Sequence, residues 1–129
     1  MGVRSANPIT DPARLLPGPA VGEVASEGGH IVSFVQPQGQ YYWRVYSGDA
    51  TMGRWLTAVE PRSAAWAREA LALPPGNTAQ FVQRVYVPGG TVLQRSRALG
   101  VFGHRGGAEQ FRLFEFLPSE NFGPGVPLK

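Results

Sequence analysis

The sequence predicts an α+β domain: a compact assembly of mostly antiparallel β-sheets with one main helix. Three observations lead there. The 129 residues fit one domain of common size, with 43% hydrophobic and 16% charged residues. Seventeen glycines and twelve prolines call for many turns between short strands. One segment, RSAAWAREALAL (residues 62–73), places Trp66, Ala70 and Leu73 in an apolar stripe at helical spacing.

Residues 1–20 are polar and hold four prolines, so a flexible arm or linker is expected there. Residues 21–129 form the single domain. A short edge strand is expected at 21–24, and HIVSFV (30–35) is β-branched and aromatic enough for another. Pro37 and Gly39 mark a turn into the strand YYWRVY (41–46). The helix follows at 62–73, with Pro61 before it and Pro74-Pro75 ending it. QFVQRVYV (80–87) alternates as a strand, setting Phe81, Gln83, Val85 and Val87 on one face. Pro88, Gly89 and Gly90 turn the chain into a strand at 91–94. Short and long strands are expected at 99–102 and 109–117, and the tail from 118 is proline- and glycine-rich coil.

Several chemistries are excluded or poorly supported. Without cysteine there is no disulfide, thiolate metal site or cysteine nucleophile. His30 and His104 lie far apart with no acid at ligand spacing, so no metal site is expected. No Gly-x-Ser-x-Gly elbow and no glycine-rich nucleotide fingerprint occurs. The net charge of +3 comes from eleven arginines and one lysine against nine acids. Arginine forks suit phosphate, but no basic run or Arg/aromatic repeat marks a nucleic-acid binder. No apolar stretch approaches the ~20 residues of a membrane span. The N-terminal region lacks the apolar core of a signal peptide.

Four segments carry the functional argument. YYWRVY holds Arg44 in an aromatic strand. After a Gly/Asp/Thr loop comes GRWLT (53–57), then a helix ending in LPPG (73–76), then a strand running into VPGG (87–90). Last comes GVFGHRGGAEQFRL (100–113), where Gly106 and Gly107 permit positive φ or close approach to a ligand. Strand alternation beyond them puts Gln110 and Arg112 on one face and Glu109, Phe111 and Leu113 on the other.

That order resembles the NAD glycohydrolase toxin domains of the tuberculosis necrotizing toxin type, which are related in architecture to ADP-ribosyltransferases. The resemblance covers residues 41–116. It departs from the family at Ala108, where a third glycine is usual, at Arg105, where a proline is frequent, and in a longer gap between Arg44 and Gly53.

The resemblance implies an ADP-ribosyltransferase-like, necrotizing-toxin-like fold and a secreted effector toxin of bacterial competition. Such a domain hydrolyses NAD, and NADP as well, to nicotinamide and ADP-ribose, with the dinucleotide as substrate and no separate cofactor. It implies delivery into a target-cell cytoplasm, through a specialised secretion system or as part of a larger polypeptide. It also implies a cognate immunity protein, expected to present an acidic surface to the arginine-lined cleft.

Nicotinamide is a cationic leaving group, so the protein must fix the dinucleotide and stabilise charge developing on the ribose. Arg44 is the expected pyrophosphate ligand, with Arg54 sharing that role. Gln110 matches the family's catalytic glutamine. Trp55 and Phe102 are expected aromatic walls, Thr57 a polar contact, and Gly106 and Gly107 the close-approach loop. In the transferase reading Glu109 acts instead, beside Arg44 and Thr57, to activate an acceptor. A third reading is a non-enzymatic β-rich binding module of a secretion apparatus.

Overall fold

The structure, a computed structural model, describes residues 31–129. In chain order they form β1 (Val32–Val35), β2 (Gln40–Tyr46), β3 (Trp55–Leu56), α1 (Ala64–Ala70), β4 (Phe81–Val87), β5 (Val92–Arg97), β6 (Glu109–Leu113), a 3-10 turn (Ser119–Asn121) and β7 (Val126–Pro127). All strand pairs are antiparallel. They build a four-stranded sheet, β1-β5-β6-β3, and a three-stranded sheet, β2-β4-β7. This is the expected α+β architecture. The expected arm (1–20), the edge strand at 21–24 and His30 lie outside the described residues.

Period-two alternation decides how the layers stack. On β2 and β4, Tyr42 opposes Val85, and both face the core shared with Leu93, Phe111 and Leu113 of the other sheet. Val85, Val87, Leu93 and Leu113 are completely buried. The Phe111 ring meets Phe34 and Tyr42 edge-on, at centroid distances of 6.0 and 5.1 Å. The opposite face of the three-stranded sheet presents Val45 and Val82 to Ala67 and Trp66 of the helix. The two sheets also meet at one bridge, where Trp43 and Thr57 exchange backbone hydrogen bonds of 2.9 and 2.8 Å.

The helix is shorter than its apolar stripe predicts. Ser63 caps it, accepting the Trp66 N–H on its hydroxyl. At the other end Ala72 turns left-handed, φ 48°, and the Leu73 N–H returns to the Arg68 carbonyl. That is a Schellman-type stop with alanine where glycine is usual. Two more terminal carbonyls are met from outside. Glu69 O accepts the Gly106 N–H and Ala70 O the Ala108 N–H. Helix end and glycine loop are thus stitched together.

Other expectations shift for identifiable reasons. No strand forms at 99–102. The chain turns there, with Phe102 and Gly103 both at positive φ, and Gly100 packed against the Arg105 carbonyl. The strand at 91–94 extends to Arg97 because β6 supplies a partner along its length. The strand expected over 109–117 stops at Leu113, and its last cross-strand bond, from the Phe114 N–H to the Val92 carbonyl at 3.4 Å, falls where β5 begins. The tail is not all coil, since β7 pairs with Phe81 and Val82. β3 carries no alternation of its own and exists through pairing with β6.

Candidate functional site

A cavity of about 330 Å³ opens where β2, the segment 53–57, the end of the helix and the β6 start converge. It lies at the lower end of the size range of small-molecule sites, about 300–1,000 Å³. From β2 come Trp43, Arg44 and Val45; from the next segment, Gly53 through Thr57. The helix end supplies Leu71 to Pro74, and Asn77, Phe102 and Gln110 close the wall. Among the described residues no aspartate, glutamate or histidine lines it.

Arg44 dominates the electrostatics. It projects from the core-facing side of β2 and is only 9% exposed. Its Nη1 donates to the Ala50 carbonyl at 2.7 Å and to Gln83 Oε1 at 2.8 Å, and Nη2 donates to the Met52 carbonyl at 2.9 Å. The Tyr46 ring lies 5.2 Å from its guanidinium carbon. All three acceptors are neutral, and no described carboxylate pairs with it. Burial pushes its pKa below the ordinary arginine value, with Tyr46 acting the other way. A buried cation without a counter-ion is stabilised when an anion enters beside it.

Gln110 is 5% exposed and lies opposite Ser96 in the β5–β6 register. Its Nε2 donates to Ser96 Oγ at 3.4 Å. Trp55 is paired across from Arg112 on β6. Arg54 donates to the Phe114 carbonyl at 3.2 Å and stacks 5.6 Å from the Phe116 ring. Thr57 is almost fully buried, its hydroxyl accepting the Val59 N–H.

Phe102 stands half out of the cavity, 51% exposed, at φ 58°. A bulky residue in the left-handed region costs roughly 1–3 kcal/mol and persists where its surroundings hold it. Ala72, also left-handed, lines the same cavity. Glu69 supplies the restraint on the Phe102 loop. Its carboxylate accepts the Arg105 backbone N–H at 2.7 Å and contacts His104 Nδ1 at 3.2 Å. Chiefly through that backbone hydrogen bond, and next through His104, its pKa is lowered.

The fold therefore brings together Arg44, Arg54, Trp55, Thr57, Phe102 and Gln110, six of the residues singled out in the sequence. Glu109, Gly106 and Gly107 are outside the lining. Glu109 is turned to the other sheet face as alternation predicts, 3.7 Å from Arg95 Nε. Gly106 docks the loop on the helix end, where a Cβ would meet the Ala98 carbonyl at 2.6 Å, and the Gly107 N–H donates to that same carbonyl at 2.8 Å. Trp43, Ala72, Asn77 and the buried Gln83 were not singled out. Gln83 alone left a trace in the sequence, as a polar residue on an otherwise apolar strand face.

No family model matches this chain, and no curated protein matches it by sequence. By structure it is similar to the solved structure of Tne2 in complex with Tni2. The TM-score is 0.66 and the identity 20%, over 80% of this chain and 96% of that one. At that identity the likeness establishes a shared fold, and this chain has the α+β fold seen in Tne2.

Proposed function

We propose that this domain is an effector toxin that hydrolyses NAD, and NADP as well, to nicotinamide and ADP-ribose. The observation that carries the reading is the buried Arg44, which no described carboxylate pairs, in the wall of a cavity that also holds Gln110, Trp43, Trp55 and Phe102. Arg44, with Arg54, takes the pyrophosphate of the dinucleotide. Trp55 and Phe102 flank the nicotinamide end. The N-glycosidic bond breaks with its electron pair going to the nicotinamide nitrogen. Water then adds to the ribose carbon and sheds a proton. Gln110 orients the ribose and places its amide dipole against the developing charge. No general acid is needed, because nicotinamide leaves as a neutral base.

The lining favours hydrolysis over ADP-ribose transfer. Transfer calls for a carboxylate to activate the acceptor, and Glu109 faces away beside Arg95. Tne2 was solved in complex with a second protein, Tni2, which supports a cognate partner here too. That partner is an immunity protein presenting an acidic surface to the arginine-lined cleft, and it associates faster at low salt.

Purified protein incubated with NAD should release nicotinamide and free ADP-ribose. No turnover at micromolar enzyme would sink the proposal. Label from NAD appearing on protein or nucleic acid in a host lysate would favour transfer instead. Expression alone in a bacterial cytoplasm should drain NAD and arrest growth. Normal growth with folded protein and intact NAD would leave the non-enzymatic binding module in front.

A further inference from the structure

Gln83 lies on β4 directly opposite Arg44 and is 3% exposed. Its side-chain amide faces two ways. Oε1 accepts from Arg44 Nη1 at 2.8 Å, and Nε2 donates to the Gly123 carbonyl at 2.9 Å. Gly123 is itself fixed to β4, its N–H donating to the Arg84 carbonyl at 2.8 Å. Reversing the amide would set N–H against N–H and oxygen against oxygen, so the orientation of Gln83 is determined by both contacts.

Gly53 fixes the guanidinium from the other side. A Cβ at that position would lie 2.4 Å from Nε, 2.5 Å from Nη2 and 2.8 Å from Cζ of Arg44. A point nearly equidistant from the two nitrogens and farther from Cζ lies in the guanidinium plane, at the Nε/Nη2 edge. Directly above that edge, Cζ would be the nearest of the three atoms. Arg44 is therefore held edge-on between the Gly53 backbone and Gln83, without a carboxylate in the clamp. The obvious partner for a buried arginine is an acid, which would hold it equally well and cancel its charge.

We infer that Gln83 is a positioning residue for anion binding: it fixes Arg44 through a neutral acceptor, so that the full cationic charge remains for a phosphate group of the ligand. This rests on the reading of Arg44 as the pyrophosphate ligand. It predicts an order of variants that a purely structural tether does not. Gln83→Glu keeps the shape and still accepts from Arg44, but supplies a counter-ion. Gln83→Met keeps the site charge and loses the tether.

The test is calorimetric binding of ADP-ribose, and of inorganic pyrophosphate, at low and high salt, alongside NAD kinetics and melting curves. Gln83→Glu should weaken ADP-ribose binding at least about tenfold and flatten its salt dependence. Gln83→Met should lose roughly threefold to tenfold and keep the salt slope. In turnover both effects should fall on KM more than on kcat. Glu binding as tightly as Gln, or more tightly than Met, overturns the inference, as does Met binding within twofold of the wild type. If Gln83→Glu fails to fold, the affinity and salt slope of Gln83→Met decide. Wild type that binds neither ADP-ribose nor pyrophosphate also overturns it. Wild type that binds ADP-ribose yet leaves NAD intact would remove the hydrolysis reading, while the variant order still tests Gln83.

Discussion

Glu69 and Arg105 are 36 positions apart, yet the Arg105 backbone N–H donates to Glu69 Oε2 at 2.7 Å. The same carboxylate contacts His104, and the next amide, Gly106 N–H, bonds the Glu69 main-chain carbonyl at 2.9 Å. One helix residue thus anchors three successive loop residues through both its side chain and its backbone. The loop carries Phe102, a wall of the cavity. Helix termination and cavity shape are therefore coupled.

Glu69→Gln should loosen this anchor without unfolding the domain. Hydrogen exchange at the Arg105 and Gly106 amides is expected to quicken, with a raised KM for NAD. The pH dependence has a definite sign. A carboxylate whose pKa is lowered on folding stabilises above its ordinary value, about 4.5, and that contribution fades as pH falls through the lowered one. Loop protection should therefore drop on acidification below about pH 4.5 in wild type and not in Glu69→Gln.

Gln110 and Glu109 are neighbours on opposite sheet faces and separate the two enzymatic readings. Under hydrolysis, Gln110→Ala should lower kcat by about a hundredfold or more, the scale for losing one positioned stabilising group. Under transfer, Glu109→Gln should cause the larger loss. Parallel assays of nicotinamide release by both variants decide.

The cavity lining offers no described acid or histidine, and the proposed hydrolysis uses no group that titrates near neutrality. Turnover at saturating NAD is expected to vary less than about threefold between roughly pH 5.5 and 8.5. A bell-shaped profile centred in that range would mean that a titrating acid or base takes part.

Leu113→Ala removes a completely buried side chain between the two sheets. Urea denaturation should show a loss of about 2–5 kcal/mol. Ser63→Ala, which removes the helix cap, should cost about 1 kcal/mol.

Much of the fold was legible because short-range periodicity carries it. Alternation at 41–46 and 80–87 predicts β2 and β4, and it correctly sets Gln110 and Arg112 opposite Phe111 and Leu113. The helix stripe was legible too, but its end was not, since the stop depends on Ala72 turning left-handed and on amides from residues 106 and 108. β3, with two residues, has no periodicity to read and forms only against β6. The same division holds for the site. Arginine, glutamine and aromatic residues in order mark Arg44, Gln110, Trp55 and Phe102 as residues of interest. Whether they share a cavity depends on strand pairings dozens of residues apart. Only the tertiary structure decided that the Gly106 amide serves the helix end, that Glu109 lies beside Arg95, and that Arg44 is buried against an amide. A sequence states which side chains exist; a counter-ion's absence is a property of three-dimensional neighbours.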